Sequence, residues 1–407
     1  MRAFLINSVY NYGSTGRIVY DLSEIIKRKG HECTVAYGRG SNLDDPDLVR
    51  IGSTADLYLH GLKTRISDKH GFGSVRSTEF LLSRMAKAKA DIIHLHNIHG
   101  YYINIEMLFN CLSEWNTPIV WTLHDCWSFT GHCSHFDYIG CGRWKTGCYS
   151  CPQKTKYPKS LILDNSKWNY EKKKQLFTAP KNLTIVTPSK WLANLAKESF
   201  LGKYPIYVIP NGVDLSIFKP RAIDEIERES LKLKYGCEGK YTLLGVASVW
   251  EENKGIRFFN ELATMLGDDV RIVLVGINEK QKKELNKAIY TIPRTNNTDE
   301  LAELYSMADV FVNPTLEDSF PTTNIESLAC GTPVITFQTG GSPESLDETC
   351  GIVIDKGNLE KLYKAVLTHK EKPFNRGACI ERALMYNKED KFQDYISLYE
   401  KILSKNN

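Results

Sequence analysis

Glu317-Asp-Ser-Phe-Pro-Thr-Thr-Asn-Ile-Glu326-Ser-Leu-Ala-Cys-Gly-Thr-Pro-Val-Ile335 follows the strand-like Ala308-Asp-Val-Phe-Val-Asn313. It reads as strand end, polar loop, a helix from about Thr323 to Ala329, a stop at Gly331-Thr332-Pro333 and a new strand. A helix entered from a parallel strand presents unpaired N–H groups and a positive dipole end, which suits phosphate. Carboxylates flank it: Glu317 or Asp318 before the loop, Glu326 within the helix. Carboxylates bind phosphate poorly but accept hydrogen bonds from sugar hydroxyls. A phosphate cradle flanked by such acceptors suits a nucleotide-sugar.

Outward from this stretch, strands alternate with helices through both halves of the chain, which predicts parallel sheets covered on both faces. Ile209-Pro-Asn-Gly-Val-Asp-Leu-Ser-Ile-Phe-Lys-Pro220 reads as a linker. The fold class expected is α/β: two tandem Rossmann-like doubly wound domains. The expected domains are 1–212, 213–387 for nucleotide-sugar binding, and a terminal helix within 388–407. Ligands belong at the carboxyl ends of strands and in the cleft between domains.

The 407 residues exceed one ordinary core. No apolar run approaches the roughly 20 residues of a membrane helix, and the N-terminus reads as a first strand, so a cytoplasmic protein is expected. A net charge of +4 does not argue for nucleic acid. Charge is nevertheless uneven: between His60 and Ala90 seven basic residues against two acidic give +5. Such a stretch is either a solvated helix face or a patch for anionic lipid at the inner face of a membrane.

The Cys330-Gly331-Thr332-Pro333-Val334 run and the spacing of Asp318 and Glu326 resemble the paired-glutamate motif of retaining glycosyltransferases of family 4. The Glu317-Asp318-x-Phe320-Pro321 run is similar to the branch of colanic-acid and capsular-polysaccharide enzymes. The resemblance spans essentially the whole chain. It implies a GT-B fold with its active site between the domains, and transfer of a hexose from a nucleotide-diphosphate sugar to a glycan or polyprenyl-linked glycan with retention. No cofactor is implied for catalysis.

The resemblance also assigns residues. Asp318 or Glu317 would hold donor-sugar hydroxyls and Glu326 the ribose. Ser319, Phe320, Thr322, Thr323 and Asn324 would supply the phosphate-binding helix start. Gly13, Ser14 and Gly16, in the loop after the first strand, would approach the donor phosphates; the same glycines also make a plain tight turn. His124 would sit by the donor sugar. Apart from the resemblance, His96 lies near the carboxyl end of its strand and is a candidate acceptor contact, and Asp125 would orient the His124 imidazole or bind the acceptor. Lys254 would stabilise charge on the leaving diphosphate. The arginine that commonly accompanies that lysine is absent near Ser248 and Val249, with Arg294 a candidate substitute. Two rivals follow: a nucleotide-sugar epimerase of the same fold, and a non-catalytic nucleotide-sugar-binding subunit.

Four of the eleven cysteines cluster within an insertion at 131–152: Cys133, Cys141, Cys148 and Cys151, with His132 and His135 among them. Cys-x-x-Cys with two further thiols could supply a structural zinc site; reduced thiols are the alternative.

Overall fold

The computed structural model describes residues 1–40, 43–222 and 224–405. The chain divides into two compact units, Met1–Pro210 with Glu389–Asn407, and Asn211–Lys388. The first carries strands β1 (Arg2–Val9), β2 (Glu32–Arg39), β3 (Leu48–Arg50), β4 (Ile92–Leu95), β5 (Ile119–Thr122), β6 (Leu183–Thr187) and β7 (Ile206–Val208). They form one parallel sheet in the order β3-β2-β1-β4-β5-β6-β7. Its strands are apolar in continuous runs because helices cover both faces; Leu5 and Ile6, on opposite faces of β1, are both fully buried. The order reverses direction between β1 and β4, which opens a crevice beyond their carboxyl ends.

The helix Lys388–Ser404 packs on this first sheet through Phe392, Tyr395 and Tyr399. The Tyr399 hydroxyl meets His94 Nδ1 at 2.5 Å, and Thr122 Oγ1 donates to the Tyr395 hydroxyl at 3.2 Å. The last two residues of the terminal segment expected at 388–407 lie outside the described residues.

The second unit repeats the plan with β8 (Tyr241–Val246), β9 (Val270–Val275), β10 (Tyr290–Ile292), β11 (Val310–Asn313), β12 (Val334–Phe337) and β13 (Gly351–Ile354), ordered β10-β9-β8-β11-β12-β13. Every ladder is parallel. Here the reversal falls between β8 and β11, so the loops after those two strands flank the crevice.

The helix of the deciding stretch runs Thr322–Ala329, starting one residue before the expected Thr323. Its stop is built by glycine. Gly331 adopts φ +80°, the Gly331 N–H reaches the Leu328 carbonyl at 2.9 Å, and the Thr332 N–H reaches the Ser327 carbonyl at 2.9 Å. Thr332 Oγ1 donates to the Tyr305 carbonyl at 2.6 Å and so pins the turn to the preceding helix, Thr298–Met307.

Candidate active site

Three loops of the second unit converge on Asp318. Lys254, after β8, pairs with it across the switch point, Nζ to Oδ2 at 2.7 Å. The backbones are stitched as well: the Leu316 N–H donates to the Asn253 carbonyl at 2.7 Å. Gly255 makes this possible. Its φ is +77°, and a Cβ there would stand 2.1 Å from the Pro314 carbonyl oxygen. The third loop follows β12, where Gly340 has φ +55° and a Cβ would stand 1.7 Å from the Asp318 carbonyl oxygen.

Glu317 is buried and accepts from Asn253 Nδ2 at 3.4 Å. The two neighbouring acids therefore differ: Asp318 holds the lysine and accepts from the Phe320 N–H at 3.2 Å, whereas Glu317 faces the Asn253 side. Around them three buried polar atoms have no hydrogen-bond partner: Asn253 Oδ1, Ser319 Oγ and Thr339 Oγ1. One comes from each loop. Buried polar groups are nearly always paired, so three orphans in one crevice mark groups positioned for a ligand. No side chain caps the helix at Thr322, because Pro321 occupies the cap position; Thr322 and Thr323 are half-buried at its start. Glu326, one turn on, accepts from the Tyr305 hydroxyl at 3.2 Å.

Phe320 and Asn324, expected to contribute N–H groups at the helix start, use their side chains inside the domain. The Asn324 side chain is fully buried and committed to structure. Its Nδ2 reaches Ser342 Oγ at 3.0 Å and Ser345 Oγ at 3.1 Å, and its Oδ1 accepts from Asn313 at 2.8 Å. Phe320 packs in the core against Tyr386, at 5.8 Å between ring centroids. Arg294 follows β10, an edge strand separated from β8 by β9; it is exposed, and no described contact joins it to Lys254. Asn211, read as linker, instead donates from Nδ2 to the Phe320 carbonyl at 3.4 Å.

In the first unit, Gly13–Arg28 begins at the β1 end of the crevice with no side-chain cap. Gly13 and Ser14 are exposed there, and Gly16 closes the turn by accepting from the Asn11 N–H at 3.0 Å. His96 and His124, from the ends of β4 and β5, stack at 5.3 Å, with Nδ1 and Nε2 3.0 Å apart. Burial pushes the His124 imidazole down to about 4 and His96 well below its ordinary value, so the pair is neutral near pH 7. His96 Nε2 is buried without a partner. His94, on the same strand, is bonded on both nitrogens and belongs to the core.

Asp125 accepts from His99 Nε2 at 2.8 Å and from the Trp127 N–H at 2.9 Å. Burial alone would raise its carboxyl, but His99 outweighs that and holds it at about 2. His99 in turn meets the Tyr157 hydroxyl at 3.0 Å. His96, His99, His124 and Asp125 line one small recess. Nothing in the sequence signals the His99–Tyr157 contact, which joins positions 58 residues apart.

The cysteine cluster was open between a structural zinc site and reduced thiols. Cys133, Cys141, Cys148 and Cys151 do line one pocket, with His132 beside them. Yet among the described residues no three or more His, Cys, Asp or Glu side chains are arranged to hold a metal ion. The thiols take other partners. Cys133 and Cys151 hydrogen-bond to each other, the Gly131 N–H donates to Cys148 Sγ at 3.1 Å, and His132 Nδ1 pairs with Asp68 at 2.5 Å. The bond from Cys133 lowers the Cys151 thiol to about 7, while burial raises Cys148 to about 11.

Two parallel-sheet units, each with a crevice at its switch point, and a lysine–carboxylate pair beside an uncapped helix define the GT-B class of glycosyltransferase. Residues 15–217 match the model described as Glycosyltransferase Family 4, and residues 240–370 that described as Glycosyl transferases group 1. The chain belongs to the family 4 glycosyltransferases. It is 25% identical over 374 residues to an Escherichia coli K12 protein assigned to colanic acid biosynthesis as glycosyl transferase WcaC, covering 86% of this chain and 87% of that one. It is 25% identical over 203 residues to a Campylobacter jejuni N,N'-diacetylbacillosaminyl-diphospho-undecaprenol alpha-1,3-N-acetylgalactosaminyltransferase, covering 47% of this chain and 53% of that one. In fold it is similar to sucrose-phosphate synthase of Thermosynechococcus elongatus, with a TM-score of 0.73 at 16% identity over 99% of both chains. It is also similar to Anabaena HepE, solved with UDP, with a TM-score of 0.67 at 12% identity over 98% of this chain and 100% of that one. No described helix is long and apolar enough to cross a membrane.

Proposed function

We propose that this glycosyltransferase moves a hexose from a nucleotide-diphosphate sugar to a hydroxyl of a glycan or polyprenyl-linked glycan, with retention of configuration, in bacterial surface-polysaccharide synthesis. The observation that carries the reading is the crevice around Asp318. An ammonium, two acids, an uncapped helix start and three unpartnered buried polar atoms meet there. The relatives named for colanic acid and for an undecaprenol-linked sugar support the product class.

The roles follow from chemistry. The N–H groups at Thr322 and Thr323 and the Lys254 ammonium take the diphosphate, and Lys254 offsets the charge that grows as the bond from sugar C1 to phosphate oxygen breaks. Glu317, held beside Asn253, or Asp318 accepts from donor-sugar hydroxyls. Glu326, oriented by Tyr305, accepts from the ribose. The neutral His124–His96 pair and Asp125 line the acceptor side. The acceptor hydroxyl attacks C1 on the face the diphosphate leaves, and its proton passes to the departing phosphate oxygen. No protein nucleophile takes part.

The test is to incubate the pure protein with labelled UDP- and GDP-hexoses, with and without lipid-linked glycans. Acceptor-dependent transfer of label supports the reading. Donor binding without turnover favours a non-catalytic subunit, and free epimerised nucleotide-sugar favours an epimerase; either overturns it.

A further inference from the structure

Cys133 and Cys151 stand side by side as hydrogen-bonded thiols in one pocket. Their exposure differs. Cys133 is buried, whereas Cys151 is half-buried and follows the exposed Tyr149 and Ser150. Ser150 takes φ +45°, a left-handed value that serine rarely adopts, so the chain turns sharply just before Cys151. The turn is held on both sides. Arg143 Nη1 donates to the Tyr149 carbonyl at 2.8 Å, and the Cys151 N–H donates to Asp164 Oδ2 at 2.6 Å. A fully buried thiol is inert. An accessible thiol facing a second one has the arrangement of a redox pair, in which the first is oxidised and the second resolves it.

Each thiol begins a path to Asp125. On the Cys133 side, Thr130 Oγ1 donates to the Cys133 carbonyl at 2.5 Å, and the Ser134 carbonyl accepts from the Cys126 N–H at 2.8 Å. Cys126 directly follows Asp125. On the Cys151 side, Gln153 Nε2 donates to the His135 carbonyl at 2.7 Å. The same segment ends at Tyr157, whose hydroxyl meets His99, the donor to Asp125. Asp125 is thus held by two segments, and one of the paired thiols lies at the head of each.

We propose that Cys151 and Cys133 are a peroxide-sensitive pair whose disulfide loosens the Asp125 end of the first-unit crevice. The Cys151 thiolate attacks one oxygen of hydrogen peroxide. A sulfur–oxygen bond forms, the O–O bond breaks, and the departing hydroxide takes up the thiol proton as water. The Cys133 sulfur then attacks the Cys151 sulfur. The S–S bond forms, the sulfur–oxygen bond breaks, and the hydroxyl leaves with the Cys133 proton as a second water. Two thiols are oxidised by two electrons in all, and one peroxide is reduced to two waters. A thiol reductant reverses the step by exchange. Covalent closure draws the two segments into disulfide geometry and moves the Ser134 carbonyl and Tyr157 with them.

The test treats the reduced full chain with hydrogen peroxide, alkylates the remaining thiols and maps disulfides by peptide mass spectrometry, beside amide hydrogen exchange of the same samples. A Cys133–Cys151 disulfide that dithiothreitol removes is expected, with exchange across 124–136 rising roughly fivefold. Cys151→Ser should abolish the disulfide and hold exchange at the reduced level, whereas Cys148→Ser should leave both responses in place. Wild-type Cys133 and Cys151 that stay open to alkylation, or that pair with Cys141 or Cys148 instead, overturn the proposal. A Cys133–Cys151 disulfide that leaves exchange at 124–136 unchanged overturns it too. Stoichiometric zinc that shields both thiols from peroxide would make the cluster a metal site and likewise overturn it. Neither readout uses a sugar or a nucleotide, so failure here is distinct from failure of the transferase reading.

Discussion

Replacing Lys254 with methionine keeps the aliphatic stem and removes the ammonium. The structure separates two consequences. The pair with Asp318 is partly open to solvent, 35% and 21% exposed on the two side chains. Such pairs contribute about 1 kcal/mol or less to folding, and Asp318 keeps the Phe320 N–H. Unfolding stability should therefore fall by no more than about 1 kcal/mol. Catalysis should suffer more, because the charge on the leaving diphosphate grows only as the C1–oxygen bond breaks. Losing one preorganised electrostatic group of that kind costs roughly 2.7–4 kcal/mol, about 10²–10³ in kcat. Initial rates at saturating donor, beside urea unfolding of the same preparation, read both quantities. A kcat reduced less than about fivefold, with donor affinity unchanged, would refute the assignment of Lys254 to the leaving group.

Three further outcomes are expected. Gly340→Ala forces a Cβ onto the Asp318 carbonyl at a left-handed φ, costing roughly 2–4 kcal/mol locally; calorimetry should show nucleotide-sugar affinity reduced at least about tenfold, and unaltered affinity would show that the loop after β12 does not border the donor. Glu326→Ala should weaken donor binding while leaving the thermal midpoint of the unliganded protein within a few degrees, since the side chain makes a hydroxyl contact at the crevice; unchanged affinity by calorimetry removes its ribose role. Lys173 is buried, and burial lowers its ammonium to about 7 from the ordinary 10.5. Above pH 7 the unfolded chain holds a proton the folded one does not, so stability should rise with pH from about 7 upward, at up to ~1.4 kcal/mol per unit; urea unfolding from pH 7 to 8.5 should lose that rise in Lys173→Met, and equal slopes in the two proteins would contradict it.

Strand–loop–helix–stop was legible from 308 to 335 because each punctuation mark has a local cause: Pro321 before the helix, and Gly331 and Pro333 after it. The division between Glu317 and Asp318 was not legible. The two acids are adjacent, and what distinguishes them, Asn253 and Lys254, comes from a loop more than sixty residues earlier. Asn324 sat in a motif read as ligand-binding, but its four-way bonding to β11 and the 342–345 turn appears only once those segments are folded together. A helix face was one reading of the basic stretch from His60, but the start of Thr54–Ser67 was not legible because its buried residues are histidine, glycine and threonine. The cysteine spacing left zinc and reduced thiols both open; the thiol partners, another thiol and a backbone N–H, come from the fold.

The central claim is transfer from a nucleotide-diphosphate sugar with retained configuration. Proton NMR of the product formed from an α-linked donor and a lipid-linked glycan tests it most directly. An α-glycosidic linkage appearing with release of nucleoside diphosphate is the predicted result; a β-linkage, or donor that binds and is returned unchanged, would contradict it.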